Sequence, residues 1–198
     1  MNKDGFTLIE MLVVVVIILM ISTMAMPSIS SYFQLSLNSA TRDLATTIKQ
    51  AYNSAVVTGK VHRLAYDLKS NSYWVESGPS EFLLNTQETS IKENRRKKFG
   101  NDSEKESPSV FKLETTITRK KIILPRGVIY EDLVTQETSN PIVTGTTYTH
   151  FFPHGLTEQT IIHLQDTSNH HASLVITPLI GMTDLYDRYV NAKEIFEK

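Results

Sequence analysis

The chain begins with an apolar run, Met11 to Ile21, introduced by Asp4-Gly5-Phe6-Thr7-Leu8-Ile9-Glu10. No turn-forming residue breaks the run, so the pattern predicts a helix over Phe6 to Met26. At about 1.5 Å rise per residue such a helix is roughly 30 Å long, the thickness of a bilayer's hydrocarbon core. Residues 6–26 are therefore expected to span a membrane. Glu10 is the one carboxylate in the segment, and an ionisable side chain there is costly enough to mark a function.

Past Pro27 the pattern turns amphipathic. Phe33, Leu37, Leu44, Ile48, Ala51, Tyr52 and Ala55 recur at three- and four-residue steps, while Arg42, Asp43, Lys49, Gln50 and Asn53 fall off that stripe. Residues 27–59 read as a continuation of the first helix, with one face packed on a domain. Pro27 lacks an N–H and crowds the preceding turn, so a kink is expected there. Gly59 stands where a C-terminal cap belongs.

From residue 60 the period shortens. Val61 to Asp67 and Tyr73 to Glu76 are β-type runs around the turn Lys69-Ser70-Asn71-Ser72, which predicts a hairpin. Phe82-Leu83-Leu84 is a further short candidate. Residues 85–108 are almost entirely polar and cannot bury enough surface to order themselves, so they are expected to form a mobile insertion. Strands are expected again over Val110 to Ile117, Lys121 to Leu124, Val128 to Tyr130, Thr147 to Phe152, Thr160 to Leu164, Ala172 to Thr177 and Met182 to Tyr186. Pro125-Arg126-Gly127, Pro153-His154-Gly155, Asp166 to Asn169 and Pro178 to Gly181 punctuate them. Short strands at this spacing suggest two packed antiparallel sheets. The tail from Tyr189 reads as a short helix or a frayed end.

Composition narrows the function classes. The part beyond the helix, residues 60–198, is long enough for one globular domain. A formal charge of −1 leaves no dominant basic surface. There is no cysteine, which excludes disulfides, thiolate metal sites and a cysteine nucleophile. Between Lys92 and Arg126 basic residues exceed acidic ones by about six, mostly through Arg95-Arg96-Lys97-Lys98 and Arg119-Lys120-Lys121. Only a short tip with Lys3 precedes the helix. Charge therefore favours a cytoplasmic N-terminus, a single pass and a C-terminal domain on the far side of the membrane. A secretory signal peptide would share Lys3 and the apolar run, but not Glu10, and Met24-Ala25-Met26 is a poor cleavage site for one.

Gly5-Phe6-Thr7-Leu8, with Glu10 and a long apolar run in register, resembles the N-terminal signature of type IV pilins and pseudopilins. The resemblance implies that residues 1–5 are a prepilin leader, that a prepilin peptidase cuts between Gly5 and Phe6, and that Phe6 is then N-methylated. It also implies that Glu10 neutralises the N-terminal ammonium of a neighbouring subunit. The physics agrees, since opposite charges attract strongly in low dielectric and either one alone is penalised there.

Further along, Tyr73-Trp74-Val75, Leu124-Pro125-Arg126-Gly127-Val128, Phe152-Pro153-His154-Gly155 and Ser173 to Gly181 follow in an order similar to that of the GspH/FimT group. These are minor pseudopilins of type II secretion systems and minor pilins of type IV pili. The resemblance implies an α+β fold: a long N-terminal helix, membrane-spanning in its first half, packed on a β-sandwich-like pair of antiparallel sheets. It implies a structural, assembly-initiating tip subunit of a secretion pseudopilus, involved in protein export. The alternative is a minor pilin of a type IV pilus with a DNA-binding role in uptake. Secretion is preferred because there is no cysteine pair and because Thr147 to Lys198 is net acidic by about three charges. The implied placement is a bacterial inner membrane, crossed once, with the C-terminal domain periplasmic, and the implied partners are other pilins or pseudopilins in a hetero-oligomer, a prepilin peptidase and inner-membrane lipid.

Other chemistry finds little support. His150 and His154 would share a helix face, but their segment reads as strand and turn, so zinc geometry fails. His170 and His171 are adjacent and should diverge. No Gly-x-Ser-x-Gly elbow, phosphate loop or dinucleotide fingerprint occurs. Glu158, Asp166, Asp184 and Asp187 read as solvated surface carboxylates. No catalytic residue, metal or cofactor is expected. Arg95, Arg96, Lys97 and Lys98 are the one nucleic-acid candidate; four flexible charges with only Phe99 beside them supply weak, salt-sensitive attachment. A solvated loop is the preferred reading, and nucleic acid is not an expected partner.

Overall fold

The long helix, α1, runs unbroken from Leu8 to Thr58, 51 residues, in a computed structural model that describes residues 6–80, 110–136, 140–179 and 181–196, side chains 23–32 excepted. Its backbone stays helical through Pro27 and stops where glycine permits a left-handed cap. There Gly59 takes φ 66° and donates its N–H to the Ala55 carbonyl at 3.1 Å. The expected stripe is the buried one: Leu37, Leu44, Ile48, Ala51 and Ala55 are buried with Ala40, whereas Arg42, Asp43, Lys49, Gln50 and Asn53 face solvent.

The expected membrane span is corrected. Among the described residues no helix is long and apolar enough to cross a membrane. The uninterrupted apolar run, Met11 to Ile21, is about 16 Å long as helix, short of the roughly 30 Å a hydrocarbon core requires. Ser28, Ser30, Ser31 and Gln34 then dilute the continuation of the helix. The transmembrane reading of residues 6–26 falls, and with it the inner-membrane placement, the lipid partner and the periplasmic orientation.

Among the described residues nine strands follow: β1 (Val61–Asp67), β2 (Ser72–Gly78), β3 (Lys112–Leu113), β4 (Ile122–Ile123), β5 (Val128–Thr135), β6 (Thr146–Phe151), β7 (Thr160–Asp166), β8 (His171–Ile176) and β9 (Thr183–Tyr186). A short helix, α2 (Ala192–Phe196), ends the described residues. The first sheet has the order β3-β2-β1-β6, with β4 also on β2; the second has the order β5-β7-β8-β9, and all pairings are antiparallel. The hairpin forms as expected, with Asn71 at φ 48° in its turn. The strand expected over Val110 to Ile117 shrinks to β3. After Leu113 the backbone turns on itself, the Ile117 and Thr118 N–H groups both bonding to the Glu114 carbonyl. Phe82-Leu83-Leu84 and the polar insertion at 85–108 lie outside the described residues.

One core joins the helix to both sheets. Leu37, Leu44, Ile48 and Ala51 of α1 meet Leu64, Tyr66, Tyr73 and Val75 of the first sheet and Leu133, Ile162, Leu164, Leu174 and Ile176 of the second. Strand alternation sends the intervening residues outward. On the outer face of the second sheet Val134, Ile161 and Val175 form a smaller cluster covered by Tyr186, Ala192, Ile195 and Phe196. The sheet thus has α1 on one side and the C-terminal segment on the other.

Candidate functional site

The start of α1 is built by an extended residue followed by an uncovered apolar cylinder. Thr7 is the N-cap, with φ −80°, ψ 150° and no side-chain capping bond, and its carbonyl accepts from the Glu10 N–H at 3.1 Å. The first N–H groups of a helix have no partner within it and carry partial positive charge, so a carboxylate in the first turn is favourably placed. Glu10 occupies that turn, and its side chain is exposed. Phe6 is 77% exposed, and every apolar residue from Leu8 to Ile21 lies open around the whole circumference. A helix apolar on all sides is stable in this form only when other surfaces cover it. Gly5 lies outside the described residues, as do Arg95, Arg96, Lys97 and Lys98. Pro27 lies within the helix, its side chain undescribed.

The second half of α1 is clasped by the turns that the sequence motifs place between strands. Gly127 takes φ 86°, and a Cβ there would stand 2.7 Å from the Phe33 ring. Gly181 takes φ 57°, and a Cβ there would enter the Tyr52 ring. The loop motifs therefore carry glycine where the chain must reverse against an aromatic side chain of the helix.

The outer face of the first sheet carries a stacked array. The Arg63 guanidinium lies 4.0 Å from the ring centroids of both Phe111 and Tyr148. It also donates to Glu76 from Nε at 2.7 Å, with Nη2 at 2.6 Å from the same carboxylate oxygen. Trp74 donates Nε1–H to the other Glu76 oxygen at 2.7 Å, and Lys121 lies 4.0 Å from the centroid of the Trp74 ring. All of these groups engage one another, which makes the array a structural brace.

The histidines do not converge. His150 sits on β6, where its Nδ1 lies 2.8 Å from Glu158, and His154 is exposed in the following turn. His170 and His171 turn to different carboxylates, Asp166 and Glu131. Asp166 is not the solvated carboxylate expected: it is buried and accepts from the Ser168 and His170 N–H groups. Burial pushes its pKa up, but the His170 backbone and ring and the Ser168 N–H outweigh that and hold the carboxyl below its usual value. Among the described residues no group of His, Asp and Glu could hold a metal ion.

Sequence reading missed a buried polar row across the second sheet. Asp132 on β5, His163 on β7 and Ser173 on β8 are cross-strand neighbours. Ser173 Oγ is occupied by the backbone of the C-terminal segment, donating to the Arg188 carbonyl at 2.7 Å and accepting from the Val190 N–H at 3.1 Å. The signal available in the sequence was His163 between Ile162 and Leu164, a polar residue inside the apolar stretch Ile161 to Leu164.

Comparison with known proteins bears on the N-terminus. Residues 1–26 match the prokaryotic N-terminal methylation motif. The chain carries that motif. Among solved structures the chain is similar to the minor pseudopilin EpsH from the type 2 secretion system of Vibrio cholerae, at 6% identity and a TM-score of 0.45, over 77% of this chain and 97% of that one. No curated protein matches.

Proposed function

We propose that this chain is a non-enzymatic structural subunit of a pilin-like filament, of the minor pseudopilin kind that serves type II secretion. The observation that carries the reading is the methylation motif set on a helix whose apolar surface is exposed on all sides. Nothing among the described residues covers Leu8 to Ile21; helices of neighbouring subunits would. The peptidase cuts between Gly5 and Phe6, Phe6 is N-methylated, and the new ammonium pairs with Glu10 of an adjacent subunit. Between apolar helices that ion pair forms in a low dielectric, so it sets the register of packing as well as contributing attraction. The domain beyond α1 is carried on the assembly helix and meets other minor subunits.

Intact-mass analysis of the protein extracted from its native host tests the reading. Loss of Met1 to Gly5 with gain of one methyl group is expected. An uncut N-terminus, or a cut near Met26, overturns it.

A further inference from the structure

The C-terminal segment, Asp187 to Asn191 and α2, is held on the second sheet by a histidine whose two ring nitrogens both face acceptors. His163 is 1% exposed. Its Nδ1 lies 2.6 Å from Asp132 Oδ1 and its Nε2 lies 2.9 Å from the Val190 carbonyl oxygen. A neutral imidazole has one N–H and one lone pair, so it satisfies one of these partners and opposes the other. The imidazolium satisfies both. Tyr189 completes the arrangement: its ring stacks on His163 at 3.9 Å between centroids, where a cation is favoured, and its hydroxyl donates to Asp132 Oδ2 at 3.0 Å.

His62 shows the contrast within the same chain. It is fully buried too, but its Nδ1 faces the Lys60 carbonyl and its Nε2 faces the Ser54 hydroxyl, which can donate, at 3.1 Å, with the Glu114 carboxylate farther off at 3.7 Å. A neutral ring satisfies that pair, and burial lowers the His62 pKa accordingly.

We propose that His163 is an imidazolium latch that fastens residues 187–196 to the outer face of the second sheet and releases them as pH rises. The groups facing it are Asp132 from β5 and Tyr189 from the segment itself. Beyond them stand the Glu131–His171 pair, with His171 edge-on to Tyr189, and the Arg188–Glu194 pair. When His163 loses its second proton, Asp132 retains the remaining N–H, because a carboxylate is the stronger acceptor. The Nε2 lone pair then opposes the Val190 carbonyl. The segment loosens at 188–190, and Val134, Ile161 and Val175 beneath it lose their cover. Tyr189 does not add a second transition near neutrality: burial first, then its bond to Asp132, holds the phenol up at about 12.

The full chain, with detergent covering the apolar half of α1, is suited to two measurements. Long-range proton–nitrogen NMR reads both ring nitrogens of His163. Hydrogen exchange of the Val190 amide, corrected for its intrinsic base-catalysed rate, reads the segment. Both nitrogens should be protonated while Val190 is protected, and protection should fall on the order of tenfold as the second proton leaves, the loss of one charge-assisted hydrogen bond. A single protonated nitrogen while Val190 is protected, or protection that does not follow the titration, overturns the latch. His163→Gln should abolish the pH dependence at Val190 and leave β1 and β2 exchange unchanged; a retained dependence also overturns it. The wild-type titration decides the matter should that variant not fold.

Discussion

Gly181 lies directly against the ring of Tyr52, so the turn after β8 closes onto the C-terminal part of α1 with no room for a side chain. The residue takes φ 57°, and a Cβ added to it would overlap the ring. Conformation and contact each require glycine here. Gly181→Ala should lower unfolding stability by about 1–3 kcal/mol, combining left-handed strain with the clash. Urea denaturation would measure it. In a double-mutant cycle Tyr52→Ala should recover the steric part and leave the backbone part.

Glu10 makes no demand on the domain. It is exposed at the helix start, so Glu10→Ala should leave the unfolding free energy of the domain, read by urea denaturation, unchanged to within about 0.5 kcal/mol. On the proposed function the same variant should fail to co-purify with neighbouring filament subunits. Glu10→Gln should fail equally, because the charge sets the pairing. Normal assembly of either variant would falsify the role given to this carboxylate.

Arg63 braces the first sheet by shape as well as charge. Arg63→Lys keeps the positive charge but cannot stack flat between Phe111 and Tyr148 or bond to Glu76 from two nitrogens. We expect it to cost about 1–2 kcal/mol. If the array acts only through its charge, denaturant titration would show Arg63→Lys to be as stable as the wild type.

Stability should decline in acid in two stages. Burial, first, holds the folded His62 pKa below the unfolded value of 6.5. The unfolded chain therefore takes up a proton that the folded one refuses, and the contribution, complete above 6.5, is lost as pH falls towards the folded value. Asp67, Glu114 and Asp166 have lowered carboxyl pKa values. Their contributions are present above the unfolded carboxylate range and are lost as pH falls through the folded values. His62→Gln should flatten the first stage of a stability-versus-pH curve and spare the second. A first stage unchanged in that variant would assign the proton uptake to another group.

The sequence by itself determined the helix stripe, the hairpin, the strand succession and the N-terminal motif, because each rests on local period or on contiguous residues. Leu37, Leu44, Ile48, Ala51 and Ala55 could be read at helical spacing, and the Asn71 turn could be read between two β-type runs. The apolar run also overreached: its length suggested a membrane span, and the described helix does not supply one. Only the tertiary structure decided what the polar strand residues do. Asp132, His163 and Ser173 are far apart in sequence and become neighbours through strand pairing across three strands. Arg63 finds Phe111 and Tyr148 in the same non-local way. Periodicity predicts which side of a strand a residue occupies, but the identity of its cross-strand partner depends on register, which the whole fold sets. For the same reason the N-terminal motif was legible and the Asp132–His163–Ser173 row was not: the first is written in consecutive residues, the second in the order of the strands.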